Sequence, residues 1–359
     1  MLVRDFDFDL PPELIAQEPA AERGTARLLC LDRTSGEISH RLVADLAATL
    51  RAGDVLVVNN TRVFPARLLG RRVPGGGVVE CLLVGRAVTP DLTPESEPEA
   101  GERWEALMHP GQRLGPGIRV VFDGVHRVYG EVLERRFQGR RVIRLWTEDG
   151  SSLEAAVDAI GHVPLPPYIK RADRCDDRER YQTVFARARG SVAAPTAGLH
   201  LSASVLAALG DAGVDVVEIT LHVGYGTFQP VRVERVEDHL IAPESYEIGA
   251  AAAARVNQAL DEGRRILAVG TTTTRTLESV ASGHGGRLVS GRGSTDLFIY
   301  PGFQFHVVGG LLTNFHVPQS SLLMLVSAFA GRERVLSAYR TAIAAHYRFY
   351  SYGDAMLIL

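Results

Sequence analysis

Lysine is almost absent from this chain of 359 residues, in which Lys170 is the single example and arginine carries the remaining side-chain positive charge. Arginine suits bidentate contacts with phosphate groups. The 39 basic and 42 acidic residues give a formal net charge of −3. This balance argues against a protein that binds nucleic acid through bulk charge alone, although it allows a local basic surface.

Cysteine is also scarce, and the three cysteines, Cys30, Cys81 and Cys175, lie far apart without a CxxC spacing. Such a set is typical of an intracellular protein with reduced thiols rather than of a disulfide framework or a zinc site. No apolar run approaches the ~18 residues of a membrane span, and the first residues lack an apolar signal core. We therefore expect a soluble, cytoplasmic protein without a membrane partner.

Several catalytic and nucleotide-binding signatures are missing. No GxGxxG or GxxxxGK[ST] motif follows a predicted strand, so Rossmann and P-loop modes of nucleotide binding have no support. No GxSxG motif indicates a serine hydrolase. Because HxH and HExxH spacings are also lacking, we expect no metal site.

The order of the predicted elements indicates an α/β fold. After the buried-strand run "DVLVV", short β-rich segments separated by glycine turns predict a small β-barrel. Strands and helices then alternate, as in "VDVVEITLHV" and "GAAAARVNQALDEG". We predict a large barrel-like α/β domain over residues 1–62 and 150–359, with a small β-barrel domain inserted at 63–149.

Polar residues follow the predicted strands of the α/β part. The segment "ITLHVGYGTFQPV" ends a strand with His222 and continues with two glycines and a threonine. The segment "ILAVGTTTTRTLES" places four threonines at a helix start, where they can cap the helix or hold an oxyanion or a ribose hydroxyl. A β-bulge with a core histidine is the alternative for the first segment, and capping alone is the alternative for the second.

Two further segments, "SVAAPTAGLHL" and "LLTNFHVPQSS", contain Thr196, His200, Asn314 and His316. Ligand sites in α/β folds gather at the carboxyl ends of strands, so we expect all four segments to converge in one pocket. Its imidazoles would be neutral and would serve as acid–base groups.

These segments supply two groups of candidate site residues. The catalytic candidates are His200, His222, Asp238, His239 and His316. The substrate-binding candidates are Pro195, Thr196, Gly198, Gly224, Gly226, Thr227, Gln229, Thr271, Thr272, Thr273, Arg275 and Asn314.

The same segments resemble the signature blocks of one enzyme family. "SVAAPTAGLHL", "TLHVGYGTFQPVRVE", "VGTTTTRTLES" and "LLTNFHVPQSSLLMLVSAFAG" are similar to blocks of the S-adenosylmethionine:tRNA ribosyltransferase-isomerases of queuosine biosynthesis. So are "FDFDLPPELIAQEP", "AGDVLVVNNTRVFPARL", "GHVPLPPYIKR", "TDLFIYPG" and "YRFYSYGDAMLI". The blocks run in order along the whole chain, which makes the resemblance far more specific than any single motif.

The resemblance implies an α/β barrel-like domain with an inserted β-barrel, and an enzyme that transfers and isomerises the ribosyl part of S-adenosylmethionine. The acceptor would be 7-aminomethyl-7-deazaguanine at the wobble position of the tRNA anticodon loop. The products would be epoxyqueuosine-tRNA, adenine and methionine. Because S-adenosylmethionine is consumed as a co-substrate, no separate cofactor is expected. The oligomeric state is left open, with a monomer as one option.

Within this resemblance, we expect His200 or His222 to remove the proton from the 5′ carbon next to the sulfonium, since a neutral imidazole suits that step near pH 7. The hydroxyls of Thr196 and of residues 271–273 would hold the ribose or the methionine carboxylate. An aromatic face such as that of Tyr225 would steady the sulfonium by a cation–π attraction of about 1 kcal/mol.

Three positions depart from the family pattern. Tyr225 stands where a small residue is usual, Ala242 where histidine is expected, and Asn60 where aspartate is common. None of them removes a histidine of the motifs, so activity is still expected.

The segment between residues 119 and 144 contains seven arginines but only three acidic residues. We interpret this segment as a surface for tRNA phosphates, with a solvated β-hairpin as the alternative; the proposed contacts are Arg135, Arg136, Arg140 and Arg141. Two other functions are considered. One is a degenerate paralogue that binds tRNA or nucleoside without ribosyl transfer. The other is an S-adenosylmethionine-dependent methyltransferase, which the missing glycine fingerprint disfavours.

Overall fold

The computed structural model describes residues 1–87, 101–136, 139–228 and 230–359. Its strands are β1 (Arg27–Leu31), β2 (Ile38–Leu42), β3 (Val55–Asn59), β4 (Thr61–Val63), β5 (Arg67–Val73), β6 (Val78–Arg86), β7 (Glu102–His109), β8 (Arg119–Phe122), β9 (Val128–Arg135), β10 (Arg140–Thr147), β11 (Ala188–Ser191), β12 (Asp215–Leu221), β13 (Glu244–Ile248), β14 (Ile266–Val269), β15 (Gly291–Thr295), β16 (Gly310–Asn314) and β17 (Ala355–Ile358). Its helices are α1 (Leu46–Thr49), α2 (Leu153–Ile160), α3 (Asp177–Arg180), α4 (Ala203–Asp211), α5 (Ala250–Asp261), α6 (Thr271–Ser282), α7 (Ser321–Ala330) and α8 (Arg332–Ala344).

Nine strands form one large sheet, in the order β15-β13-β12-β3-β14-β16-β17-β1-β2. The central strands β12, β3, β14 and β16 are parallel to one another. Strand β3 is buried along its whole length, as expected of a parallel strand covered on both faces. Its Val55 and Val57 pack into one core and its Leu56 and Val58 into another, because successive side chains point to opposite faces.

Helices cover both faces of this sheet. Val256 of α5, Leu277 of α6 and Val335 of α8 lie in the core on one face. On the other face, Leu46 of α1 and Leu209 of α4 complete the second core. The large part of the molecule is therefore a three-layer α/β structure, with the parallel centre of its sheet buried between helices.

The six strands β5 to β10 form a closed antiparallel barrel in the order β10-β7-β6-β5-β8-β9. Its interior is filled by apolar side chains such as Leu68, Val79 and Ile143. Helix α2 follows the last barrel strand and packs Leu153 and Val157 against the same core. Closure pairs every strand with two neighbours and leaves no free strand edge.

The predicted α/β fold with an inserted small β-barrel is confirmed. The barrel strands run from Arg67 to Thr147, and the exact domain boundaries stay a prediction. The large part, which was expected to be barrel-like, is an open nine-stranded sheet that ends at β15 on one side and at β2 on the other, and the closed barrel is the inserted part. Strand β4, which lies between β3 and the first barrel strand in the sequence, pairs with β11 in a separate two-stranded parallel sheet.

Candidate active site

Four segments that follow parallel strands lie at one edge of the large sheet. Strand β3 is followed by β4, β12 by His222, β14 by α6, and β16 by Phe315 and His316. The carboxyl ends of parallel strands meet at the same edge, so these segments are neighbours in space. Two adjoining cavities lie at this edge.

The larger cavity has a volume of about 640 Å³ and lies between the β-barrel and the strand-end loops. The large part contributes His222, Gly224, Tyr225, Gly226, His239, Ala242, Glu244, Arg275 and Phe298 to its wall. The barrel strands contribute Arg86, Trp104, Glu105 and Arg140, the segment before the first barrel strand contributes Phe64, and β11 contributes Arg189. The wall therefore combines imidazoles, aromatic rings and charged groups from both parts of the molecule.

The smaller cavity has a volume of about 390 Å³ and is rich in hydroxyl groups. Its polar lining includes Thr196, Thr271, Thr272, Thr313, Asn314, His316 and Ser320, next to Pro195. Among the described residues, none that line it is Asp, Glu, Lys or Arg. Tyr168 and Tyr350 form an aromatic wall, with stacked rings whose centroids are 3.9 Å apart.

The two cavities adjoin, because Val223, Ser321 and Leu322 line both. Helix α6 also borders both: Thr271 faces the smaller cavity, and Arg275, about one turn later, faces the larger one. The sequence predicted one pocket, and the structure has two adjoining cavities. A ligand that lies along the first turn of α6 would contact both.

His222 lies directly after β12 and lines the larger cavity. Its Nδ1 is 2.9 Å from the hydroxyl oxygen of Thr61. The backbone of Gly190 packs flat against the ring, so that a Cβ at that position would lie 2.7 Å from Nδ1 and Cε1. Burial lowers the pKa of His222 below its usual value of 6.5, against the opposing effect of Glu247. The imidazole is therefore neutral at pH 7 and held rigidly at the cavity wall.

His200 lies outside both of these cavities. It ends a short 3-10 turn, Thr196–His200, and is 6% exposed. The Asn314 side chain donates from Nδ2 to His200 Nε2 at 2.9 Å, and the Thr196 hydroxyl donates to Asn314 Oδ1 at 3.1 Å. Burial lowers the pKa of His200 to about 4. The expectation of a shared pocket is therefore wrong for His200, whose ring supports Asn314 from behind the cavity wall.

The other acid–base candidates are spread over the site. His316 lines the smaller cavity, with Nε2 2.9 Å from the Thr313 hydroxyl, and burial lowers its pKa to about 3. His239 lines the larger cavity, and its ring packs edge to face on Phe298 with the two ring centroids 5.1 Å apart. Burial lowers the pKa of His239 as well. Asp238 is exposed and lines neither cavity. The predicted Asp238–His239 pair is thus not a unit that faces one ligand.

A buried ion pair ties α6 to the start of β13. The Arg275 guanidinium donates from Nη1 to Glu244 Oε2 at 2.6 Å, and the side chains of both residues are 5% exposed. The same carboxylate accepts a hydrogen bond from the backbone N–H of Gly224 at 2.9 Å. Among the described residues, Nη2 of Arg275 is buried and has no hydrogen-bond partner. A buried donor without a partner is energetically costly.

Two of the predicted substrate-binding residues, Gly198 and Thr273, line neither cavity. Gly198 is buried, and its Cβ would lie 2.9 Å from the ring of Phe185, so this glycine is required for packing. Thr273 is fully buried and donates its hydroxyl to a carbonyl one turn earlier at 2.7 Å. Gln229 and the side chain of Thr227 lie outside the described residues.

The barrel arginines divide into exposed and buried members. Arg140 lines the larger cavity and lies 3.4 Å from Glu105, which also pairs with Arg136. Arg135 is exposed. Arg141 is 4% exposed and donates to three backbone carbonyl groups of the barrel. The predicted tRNA contact at Arg141 is therefore wrong, because its guanidinium is used to hold the barrel loops together.

Comparison with known proteins assigns the chain to a family. A family model described as queuosine biosynthesis protein matches residues 3–358. The chain belongs to this family. A relative from Desulfitobacterium hafniense, named S-adenosylmethionine:tRNA ribosyltransferase-isomerase, is 50% identical over the full length of both chains. Another of the same name, from Heliobacterium modesticaldum, is 47% identical, again over the full length of both.

A solved structure supports the same assignment. It is a crystal structure of an S-adenosylmethionine tRNA ribosyltransferase from Thermotoga maritima, 35% identical to this chain with a TM-score of 0.54. The match covers 99% of this chain and 100% of the other. The predicted membership of the ribosyltransferase-isomerase family is confirmed.

The three departures from the family pattern all have defined surroundings. Tyr225 and Ala242 line the larger cavity. Asn60 is buried, donates from Nδ2 to Glu218 at 3.0 Å and accepts from the hydroxyl of Thr220 at 2.7 Å. An amide both donates and accepts, whereas an ionised aspartate would only accept and would repel the neighbouring carboxylate.

Several residues that have contacts at this site were not identified from the sequence. Thr61 contacts His222, Glu244 holds Arg275, and Tyr168 stacks on Tyr350. Thr61 and the two tyrosines do lie in the blocks "NNTR", "GHVPLPPYIKR" and "YRFYSYGD". Their presence in these blocks was the available signal, but the contacts that give them a role are long-range.

The described residues contain no group of three or more His, Cys, Asp or Glu side chains that could hold a metal ion. The expectation that the reaction needs no metal stays a prediction. Within the described part of the chain, no helix has both the length and the apolar character that crossing a bilayer requires.

Proposed function

We propose that this chain transfers the ribosyl part of S-adenosylmethionine to 7-aminomethyl-7-deazaguanine at the tRNA wobble position and isomerises it. The observation that carries the proposal is the pair of adjoining cavities at the sheet edge. One is uncharged and rich in hydroxyls, and the other is bordered by arginines and aromatic rings from the barrel. A sulfonium nucleoside and a tRNA base need two such spaces that meet at the reacting atoms.

S-adenosylmethionine would lie along the first turn of α6. Its adenosine would occupy the smaller cavity, where Tyr168 and Tyr350 offer aromatic surface and Thr271 offers a hydroxyl to the ribose. Its carboxylate would lie in the larger cavity, beside Arg275 in the wall. The sulfonium would then lie at the junction beside Val223, next to the imidazole of His222.

The modified wobble base would enter the larger cavity from the barrel side. An anticodon-loop base is single-stranded, so turning it out of the loop costs little, and stacking can hold it. Trp104 and Phe64 provide rings at this wall, and Arg86, Arg140 and Arg189 provide positive charge for the phosphates on either side. The acceptor amine would approach the ribose at the junction of the two cavities.

His222 is the residue that we propose as the general base. The sulfonium makes the neighbouring 5′ carbon acidic, and a neutral imidazole at the cavity wall can take its proton. Adenine then leaves from the 1′ carbon, the amine of the deazaguanine adds to the sugar, and the epoxide closes as methionine leaves. The sulfonium supplies the activation in this scheme, so we propose that neither a metal nor a separate cofactor takes part. Because the substrate is tRNA, we propose that the protein acts in the cytoplasm.

Mass spectrometry of tRNA provides the test. Substrate tRNA that carries 7-aminomethyl-7-deazaguanine is incubated with the protein and S-adenosylmethionine, and its nucleosides are then analysed. A ribosyl-derived cyclopentane adduct, with adenine and methionine released in equal amounts, supports the proposal. Unchanged tRNA would identify a paralogue that only binds, and a mass increase of one methyl group would identify a methyltransferase.

A further inference from the structure

The hydroxyl group of Thr61 lies behind His222, away from the larger cavity. Its oxygen is 2.9 Å from Nδ1 of His222, 2.7 Å from the hydroxyl oxygen of Ser191 and 3.3 Å from the carbonyl oxygen of Ala188. Thr61 and Ser191 are both fully buried. The Ser191 oxygen also accepts a hydrogen bond from the backbone N–H of Val223 at 2.8 Å. Each hydroxyl in this network therefore has hydrogen-bond partners within the protein.

Only one arrangement of protons uses all three contacts of the Thr61 hydroxyl. The carbonyl of Ala188 can only accept, and the hydroxyl has a single proton to give, so that proton points at Ala188. The two remaining partners must then donate to Thr61. Ser191 can do so, because its hydroxyl proton can point at Thr61 while its oxygen accepts from the N–H of Val223. His222 can do so only if its proton is on Nδ1.

We propose that Thr61 and Ser191 are positioning residues that hold neutral His222 with its proton on Nδ1, so that Nε2 offers a lone pair to the ligand in the larger cavity. This inference rests on the proposed role of His222 as the base. The opposite tautomer would present an N–H to the 5′ carbon and could not take a proton from it. Gly190 adds a steric constraint, because its backbone packs against the ring and opposes rotation of the imidazole.

The tautomer of His222 can be measured directly. Nitrogen-15 NMR of protein labelled at histidine distinguishes a protonated from an unprotonated ring nitrogen, and the His222→Gln variant identifies the signals of this residue. We expect wild type and Thr61→Ser to show the proton on Nδ1 at pH 7.5. Thr61→Val has nearly the same shape but lacks the acceptor, and we expect a shift toward the form with the proton on Nε2, which histidine prefers in water.

Activity gives the second readout. Thr61→Val should slow single-turnover adenine release at least ~10-fold, because loss of the competent base removes part of the ~10²–10⁴-fold contribution of general-base catalysis. Thr61→Ser should stay within about twofold of wild type, since the hydroxyl is retained. The affinity for S-adenosylmethionine should be the same in all three proteins.

The inference is overturned if wild-type His222 has its proton on Nε2, or if Thr61→Val leaves the tautomer unchanged. The wild-type spectrum decides the first point even if the valine variant does not fold. If the tautomers are as expected but wild-type protein releases no adenine from S-adenosylmethionine, the positioning network stands and the proposed function fails. The two ideas are therefore tested separately.

Discussion

The side chain of His222 is neutral in the folded protein because of where it lies. Burial at the cavity wall lowers its pKa below 6.5, and the nearby Glu247 only partly opposes this effect. A base must be unprotonated to act, so the rate falls as the pH drops through the folded pKa. We predict that single-turnover adenine release stays level from pH 8 to pH 7 and declines only below pH 6.5. A midpoint above pH 6.5, or an unchanged acid limb in His222→Gln, would assign the base elsewhere.

The position of the imidazole depends on the absence of a side chain at residue 190. A methyl group on Gly190 would lie 2.7 Å from two ring atoms of His222, so the ring would have to move. We predict that Gly190→Ala slows adenine release about 10- to 100-fold, since a displacement of about 1 Å at a reacting group can cost this much. Gly85 provides the control, because it lines the same cavity and an added Cβ there meets nothing within 4 Å. A similar loss in Gly85→Ala would contradict the steric explanation.

His200 lines neither the larger nor the smaller cavity, and its burial affects the stability of the fold instead. Its pKa is lowered to about 4 by burial, whereas the unfolded chain binds a proton near pH 6.5. Between these values the unfolded state binds more protons, so stability rises with pH and is lost as the pH falls from 6.5 toward 4. We predict that wild type loses about 2 kcal/mol more than His200→Gln between pH 7 and pH 5. Urea unfolding of both proteins at the two pH values measures this difference, and equal losses would refute it.

Helix α6 shows how one element divides its threonines between structure and ligand. The hydroxyls of Thr273, Thr274 and Thr276 donate to backbone carbonyls four residues earlier. Thr271 and Thr272 line the smaller cavity instead. The sequence run predicted a ligand site, and capping alone was the alternative. The later threonines do not cap the helix, because their hydroxyls bond to carbonyls within it and the N-cap, Gly270, has no side-chain cap hydrogen bond. Only the first two residues of the helix reach the smaller cavity.

Thr271, one of the two threonines of α6 that line the smaller cavity, should affect ligand affinity. Thr271→Val keeps the shape of the side chain but removes its hydroxyl, and loss of one hydrogen bond is worth about 0.5–1.5 kcal/mol. We predict that S-adenosylmethionine binds about 2- to 10-fold more weakly to this variant in calorimetric titration. Thr276→Val loses a helix-internal hydrogen bond and should bind normally. If the two variants bind alike, the adenosine does not lie where we propose.

The sequence predicted elements better than it predicted side-chain directions. Hydrophobic runs and glycine turns were sufficient for the buried strand β3 and for the barrel, because both depend on local pattern. The histidines at strand ends were found as well. Whether the His200 side chain points into a cavity or away from it was not predictable, because its direction depends on Asn314, which lies in a strand more than a hundred residues away. The buried hydroxyl of Thr61 was missed for the same reason, since its partners come from β11 and the end of β12.

At the scale of the whole molecule, the larger cavity lies where the barrel meets the large α/β part. The barrel has its own core and the large sheet has a core on each face, and residues from both parts form the cavity wall. Three arginines line this cavity on the barrel side, and each of them pairs with an acidic side chain, in a chain with a net charge of −3. Arg86 and Arg140 come from the barrel and Arg189 from β11. A local basic rim of this kind can bind a polyanion that the molecule as a whole would not attract.

The basic rim leads to a prediction that separates neighbouring arginines. Arg86→Gln with Arg140→Gln removes two charges at the cavity, and we predict weaker tRNA binding with a salt-dependence slope reduced by up to about two. Arg119→Gln is the control, because this exposed arginine pairs with Glu131 and does not line the cavity. Arg141→Gln should instead lower the melting temperature, since that guanidinium holds backbone carbonyls inside the barrel. Binding of anticodon stem-loop RNA is measured at several salt concentrations. An unchanged slope in the double variant would mean that the tRNA phosphates lie on another surface.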